Sequence, residues 1–393
     1  MKTIKFKYIY IAVAMAVLGS CSEDFVTIDP EGKFDTSTYF SNEQQCYAAL
    51  IGVYDPIRKN TGGFENLVAM LNAGSDDFYA GGGSSTDGTG IQNFSTHSLS
   101  SITIPGSYWN DHYQGISRAN ILLAKLPAAS MNDAVRSRFA AEAKTLRAFY
   151  YFNLVRLFKN IALVLEPLNT ETIYTPEQVA PEVIYAQIEK DLTEAIAALP
   201  NTVVKDTEAG RFNKGAAQAL LGKVYLFEGK KTEAAAVLAE VNGTPGAVNQ
   251  YGNKLLDNFS DLWVTSNKFN EESLIEVSHS SAGNSDWTFW GQGRDEGNSL
   301  NIMVGPRGYS RPKGSTAPDL PSGWAFNVAT QKLYDEMQGD PRLAATILDL
   351  KALKAAGKAD YIPAYQDTGY FLNKYLPRQS DVSTGGGNSE LNY

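Results

Sequence analysis

The sequence is poor in the residues that build crosslinked or metal-held folds: two cysteines and three histidines are spread over 393 residues. Two thiols cannot make a disulfide scaffold. His97, His112 and His279 stand alone, with no His-Glu-x-x-His and no cysteine pair, so the sequence offers neither a zinc site nor a Cys/His dyad. Positive charge is also short: 34 Lys and Arg face 43 Asp and Glu, a formal net charge of −9. A surface of that sign repels phosphate, which argues against a nucleic-acid partner. No apolar run approaches the roughly 20 residues a membrane-crossing helix needs. The glycine tracts lack the spacing and the lysine of a phosphate-binding loop, and nothing asks for a cofactor or metal. What is abundant is apolar and aromatic material, 43% and 11%. That is ample for a folded core of two or three units, or of one large helical domain with insertions.

The first residues read as an address. Lys2, Lys5 and Lys7 precede an uncharged apolar run from Tyr8 to Leu18, the charged and apolar regions of a secretory signal. The run ends at Leu18-Gly19-Ser20-Cys21, which resembles a bacterial lipobox. Residues 1–20 are thus expected to be a lipoprotein signal peptide, with Cys21 the first mature residue and the point of lipid attachment. Acyl chains add about 0.8 kcal/mol per buried methylene, so several chains on one cysteine hold a protein to a membrane without spanning it. Residues 21–41 read as an acidic linker and N-terminal segment, in which Ser22-Glu23-Asp24 resembles the surface-export signal of Bacteroidetes lipoproteins. The second cysteine, Cys46, sits in a helical stretch without a basic neighbour and is expected to be a small buried apolar group.

From residue 42 to 242 the pattern is mostly helical. Val135, Phe139, Leu146, Phe149, Asn153, Leu154 and Leu157 recur at three- and four-residue steps with one polar slip, while Arg136, Arg138, Glu142 and Lys144 fall on other faces. The spacing predicts one long amphipathic helix. Ile184, Ile188, Leu192, Ile196 and Leu199 predict the next, with Pro181 near its start and Pro200 past its end. Leu221, Gly222, Tyr225, Gly229, Ala234 and Leu238 fit the small and large packing positions of a tetratricopeptide repeat, and Ala143 to Phe158 fits more loosely. The fold class expected is therefore mainly α, a tetratricopeptide-like α-solenoid. From 243 to 393 the chain turns to Gly, Asn, Ser and aromatics, with short runs such as Ser273-Leu274-Ile275-Glu276-Val277 suited to small strands. This predicts an irregular, loop-rich layer with small β elements lying over the helices.

Taken together, the motifs resemble those of the SusD/RagB family of Bacteroidetes outer-membrane lipoproteins. The resemblance runs from the lipobox through Phe34-Asp35-Thr36-Ser37-Thr38-Tyr39-Phe40, Ala49-Leu50-Ile51-Gly52-Val53-Tyr54 and Tyr113-Gln114-Gly115-Ile116-Ser117-Arg118-Ala119-Asn120. It continues with Ala141-Glu142-Ala143-Lys144-Thr145-Leu146-Arg147-Ala148-Phe149-Tyr150, Arg211-Phe212-Asn213-Lys214-Gly215 and Gly339-Asp340-Pro341-Arg342-Leu343. It implies a SusD-like helical region over 42–242 and a SusD/RagB loop-rich region over 243–393, incomplete at its C-terminus because the family continues into further helices. It also implies a non-enzymatic nutrient receptor at the cell surface, held in the outer membrane by its lipid. Such a receptor passes oligosaccharide, or in some members peptide, to a SusC-like TonB-dependent transporter.

Sugar capture needs flat apolar faces beside hydrogen-bonding groups, and several aromatic contacts of roughly 0.5 to 1.5 kcal/mol each. Trp287 and Trp290 stand in a polar loop, and Tyr309 sits between Arg307 and Arg311. Family members place ligand contacts in the N-terminal insertion, which here offers Asp76, Asp77 and Tyr79 before a glycine tract and Phe94 after it. These seven residues are the ligand-binding candidates; Trp109, Tyr113 and Trp324 read as packing. Two other readings stay open: a peptide-binding RagB-like receptor, and a lipid-anchored glycoside hydrolase. The second is poorly supported, since adjacent Asp76 and Asp77 diverge on an extended chain.

Overall fold

Asparagine starts the helices. In the computed structural model, which describes residues 39–60, 65–282, 296–376, 378–383 and 388–393, Asn42, Asn66, Asn132 and Asn213 each cap a helix. Each side-chain carbonyl accepts from the backbone N–H two or three residues further on, supplying a bond that the first turn cannot make for itself. These caps open α1 (Glu43–Tyr54), α2 (Leu67–Ala73), and two longer helices described below. α3 (Thr89–Ser95) and α4 (Gly106–Lys125) lie between.

α5 (Asp133–Phe158) is the predicted long helix, and α6 (Pro181–Ala198) follows with Pro181 in its first turn. Together with α1 and α4 they enclose the largest core, which holds Leu50, Ile116, Leu146, Tyr151, Phe152 and Leu192. Trp109 and Tyr113 pack on its margin and Cys46 is fully buried within it; burial pushes the Cys46 thiol pKa up, as suits an inert packing group. α7 (Lys214–Phe227) and α8 (Lys231–Asn242) form the repeat-like hairpin. Gly229 turns between them at φ +77, and a Cβ on Gly222 would overlap the Leu238 side chain, so the glycine sets how closely the two helices approach.

One expectation fails on α5. Periodicity puts Glu142 off the apolar stripe, on another face of the helix, yet it is fully buried. α5 is wrapped on more than one side, and Glu142 is met there by Tyr54, whose hydroxyl donates at 2.7 Å, by Arg211 at 2.6 and 3.0 Å, and by Arg138 at 3.1 Å. A buried carboxylate is tolerable when every lone pair is matched in this way. The polar slip at Asn153 has a similar cause: its amide meets buried His112 at 3.0 Å.

The remaining described residues form the layer over the helices. Its centre is a four-stranded antiparallel sheet of order β1 (Phe78–Gly81), β4 (Phe326–Ala329), β6 (Tyr370–Leu372) and β5 (Ile347–Asp349). Tyr79 pairs with Val328, Val328 with Phe371, and Phe371 with Leu348. A short second pair, β2 (Ile161–Ala162) with β3 (Gln178–Val179), lies beside α5. Residues 273–277 do not form the expected strand; Val277 instead exchanges backbone hydrogen bonds with Tyr393, 2.7 and 3.3 Å, without a longer ladder to join. A second core, with Met70, Ile91, Phe94, Tyr108, Met303 and Phe326, cements the sheet to α2, α3 and α9 (Leu300–Val304).

Candidate functional site

The glycine tract explains itself once β1 is followed to its end. Gly81 and Gly82 take φ +69 and +85, a region costly for other residues. A Cβ on Gly82 would strike the Phe326 ring at 2.6 Å, and one on Gly83 would strike Arg307 Nη1 at 2.9 Å. The tract is glycine because another part of the chain lies against its backbone.

That other part is three stretches of the loop-rich layer, around 305–311, 322–325 and 360–367. Gly82 N–H donates to Ala325 O at 2.9 Å, and Tyr365 N–H donates to Gly82 O at 2.9 Å. Ile362 N–H donates to Arg307 O at 2.9 Å, and Ser310 and Asp360 exchange backbone bonds at 2.9 and 2.8 Å. The Arg307 guanidinium donates to Asp87 Oδ2 and to Trp324 O, both at 3.4 Å, and the same Asp87 oxygen accepts Gly83 N–H at 2.6 Å. Behind the turn, buried Gln92 donates its amide to Gly81 O at 2.9 Å and to Asp87 O at 3.1 Å, fixing the loop from inside. The result is a ledge held by many hydrogen bonds, with Arg307 at its centre. Tyr365, bonded to Gly82 there, is 37% exposed, and Tyr79, in the strand just before the turn, is 39% exposed; both are large rings left partly uncovered on well-bonded backbone. Trp324 and Tyr309 stand half-buried beside them, packed on the second core.

The sequence candidates fall unevenly on this ledge. Tyr79 lies in β1, the strand that leads into the turn, paired with Val328 and partly exposed. Asp76 and Asp77 are exposed just before β1, and Asp77 O accepts Thr330 N–H at 2.9 Å, so that backbone is held by β4. Tyr309 is adjacent; its hydroxyl donates to Pro318 O, which ties it down and leaves only part of the ring open. Phe94 needs correcting: it is 7% exposed, inside the second core under the turn, because α3 directs it at Met70 and its neighbours rather than outward. Trp287, Trp290 and Cys21 lie outside the described residues. Arg307, Asp87, Gln92 and Tyr365 were not among the candidates, although three consecutive glycines were a signal that something approaches them closely.

Chemically the ledge can stack and hydrogen-bond. Among the described residues no cluster of His, Cys, Asp or Glu could hold a metal ion. His112 and His279 are buried, and burial pulls each imidazole pKa down to about 4, so neither carries charge near neutrality.

Comparison with known proteins identifies the family and the fold. Residues 40–226 match the SusD-like family model described as starch-binding associating with outer membrane. A laminarin binding SusD-like protein of known structure is 57% identical, with a TM-score of 0.86 over 90% of this chain and 76% of its own. Surface glycan-binding protein A from Bacteroides thetaiotaomicron, solved in complex with laminarihexaose, shares the fold at a TM-score of 0.77 and 22% identity over 89% of this chain and 75% of its own. A SusD-like protein from Bacteroides ovatus is 24% identical over 299 residues, 70% of this chain and 50% of that protein. The chain spans between half and two thirds of the length of the curated relatives it matches.

Proposed function

The chain belongs to the SusD-like family, and from that membership we infer that it is a surface glycan-binding protein whose ligand is a laminarin-type glucan. The observation that carries the reading is the 57% identity to a structure named for laminarin binding. The ledge supports it on chemical grounds. Partly exposed Tyr79 and Tyr365 offer faces to the C–H side of a pyranose, and Arg307 and Asp87 offer a donor and an acceptor for its hydroxyls. Arg307 is already oriented by Asp87 and Trp324, so little freedom is lost when a sugar arrives.

Capture of this kind leaves glycosidic bonds intact. The bound glucan is then handed to a SusC-like TonB-dependent transporter, from a receptor tethered to the outer membrane by lipid on Cys21. Asp76, Asp77 and Tyr309 flank the ledge and extend the surface along which a longer oligosaccharide lies; Trp287 and Trp290 stay ligand-contact candidates on the sequence alone.

Isothermal titration with laminarihexaose, maltohexaose and a peptide mixture tests the reading. Saturable heat with laminarihexaose, no product on chromatography of the mixture afterwards, and weaker heat with the other two are expected. Preference for maltohexaose would move the reading to a starch-type glucan, and silence with all sugars beside uptake of peptide would replace it by the peptide receptor.

A further inference from the structure

A second aromatic cleft lies outside the ledge. The short 3-10 turn Phe259–Trp263 faces α11 (Leu343–Thr346), which follows α10 (Gln331–Glu336), and the residues after β6. Between them is a cleft of about 340 Å³, near the lower bound of small-molecule sites. Trp263, Ala344 and Leu376 supply its apolar side and Thr265, Arg378 and Asp381 its polar side.

Trp263 is held unusually firmly for a half-buried ring. Phe259 and Tyr375 meet it edge-on at centroid distances of 6.1 and 5.3 Å, and Lys374 Nζ lies 5.4 and 5.3 Å from the Phe259 and Trp263 centroids. Two rings and a cation therefore fix an indole beside an open cleft. The polar side is less satisfied. Among the described residues no carboxylate pairs with the Arg378 guanidinium, although ion pairs hold Arg311 to Asp319 and Arg342 to Asp340 nearby. Asp381 accepts the Arg378 backbone N–H at 2.9 Å and the Ser380 hydroxyl at 3.2 Å, which leaves its carboxylate with acceptor capacity. A fixed aromatic face, opposed by one free guanidinium and one carboxylate, matches a neutral polyol ring: C–H on one side, hydroxyls on the other. An anion would meet Asp381 and a cation would meet Arg378 and Lys374.

We propose that this cleft is a second carbohydrate subsite, seating one pyranose unit against Trp263 with its hydroxyls on Arg378 and Asp381. The site is joined to the ledge region by its wall: Gln379 N–H donates to Asp319 O at 2.9 Å, and Asp319 pairs with Arg311 next to Tyr309. The proposal rests on the glucan reading above for the identity of the sugar.

The test uses the protein labelled with 5-fluorotryptophan and titrated with laminarihexaose by fluorine NMR, the Trp263 signal being identified by its loss in Trp263→Phe. The Trp263 signal is expected to shift saturably in the wild type and to keep shifting in Arg307→Ala, where the ledge is weakened. In Arg378→Ala its apparent affinity falls at least fivefold more than that of the Trp324 signal. A Trp263 signal that stays still while Trp324 responds overturns the subsite and leaves the glucan reading standing. So does a Trp263 response that tracks Trp324 and ignores Arg378→Ala, since that would be a propagated change. Neither signal moving removes the glucan reading, and this subsite with it.

Discussion

Arg147 and Asp191 are joined at two points, Nε to Oδ2 at 2.8 Å and Nη2 to Oδ1 at 2.7 Å, with both side chains almost wholly out of water. Arg147 also donates to Asn120 Oδ1 at 2.8 Å, and Gln187 donates to Asp191 Oδ1 at 2.9 Å. One guanidinium thus binds α4, α5 and α6 together. Asp191→Ala strands a buried cation and is expected to cost about 3 to 5 kcal/mol in urea unfolding. Arg147→Lys should recover little of the pair, because an ammonium cannot make both bonds in this geometry. A loss under 1 kcal/mol for Asp191→Ala would show that water reaches the pair.

Gly222 makes a steric prediction. Gly222→Ala drives a methyl group into Leu238 and is expected to destabilise by about 1 to 3 kcal/mol, despite alanine's better helix propensity. Trimming the partner in Gly222→Ala/Leu238→Ala should recover part of that loss, giving a favourable coupling energy in a double-mutant cycle. Strict additivity would mean that the two helices do not meet at this point.

Acid should weaken the fold through two imidazoles. His112 and His279 have folded pKa values near 4 against an ordinary 6.5, so between these values the unfolded chain binds more protons than the folded one. Stability attributable to each is fully present above about pH 6.5, declines as pH falls toward 4, and amounts to a few kcal/mol at most. His112→Gln is expected to flatten the dependence of unfolding free energy on pH across this window relative to the wild type. An unchanged slope would place His112 in contact with solvent.

On the ledge, Tyr365→Ala and Arg307→Ala are expected to weaken laminarihexaose binding while moving the melting temperature little, since neither side chain is in a core cluster. Loss of one stacking face at about 0.5 to 1.5 kcal/mol corresponds to roughly two- to tenfold in affinity by titration calorimetry. Phe94→Ala should do the reverse first, lowering the melting temperature by removing a core ring. If Phe94→Ala leaves stability untouched and abolishes binding, the ring must turn outward in solution.

Helix pairs were legible in the sequence because their signals are local. Pro181 and Pro200 bracket α6, and Gly222 with Leu238 announced a close helix pair before any coordinates did. Glu142 was misread because periodicity reports one buried stripe and says nothing of a helix covered on several sides. Tyr365, Arg307 and Asp87 were missed because what unites them is β1 pairing with β4 across a long stretch of chain, which no local pattern encodes. Phe94 was mistaken for a surface ring because a polar, glycine-rich neighbourhood resembles an exposed loop even when one residue in it points inward.

The sheet that carries the ledge has a consequence for assembly. Asn327 donates its amide to Ala69 O, a contact spanning 258 residues, and β1 pairs with β4 of the same segment. Closing so large a loop is entropically slow compared with forming neighbouring helices. A polypeptide still emerging from the ribosome can therefore acquire its helical hairpins early, before the ledge proposed to bind sugar is assembled. Under the proposed function, affinity for laminarihexaose measured during refolding is expected to lag behind the recovery of helical circular dichroism.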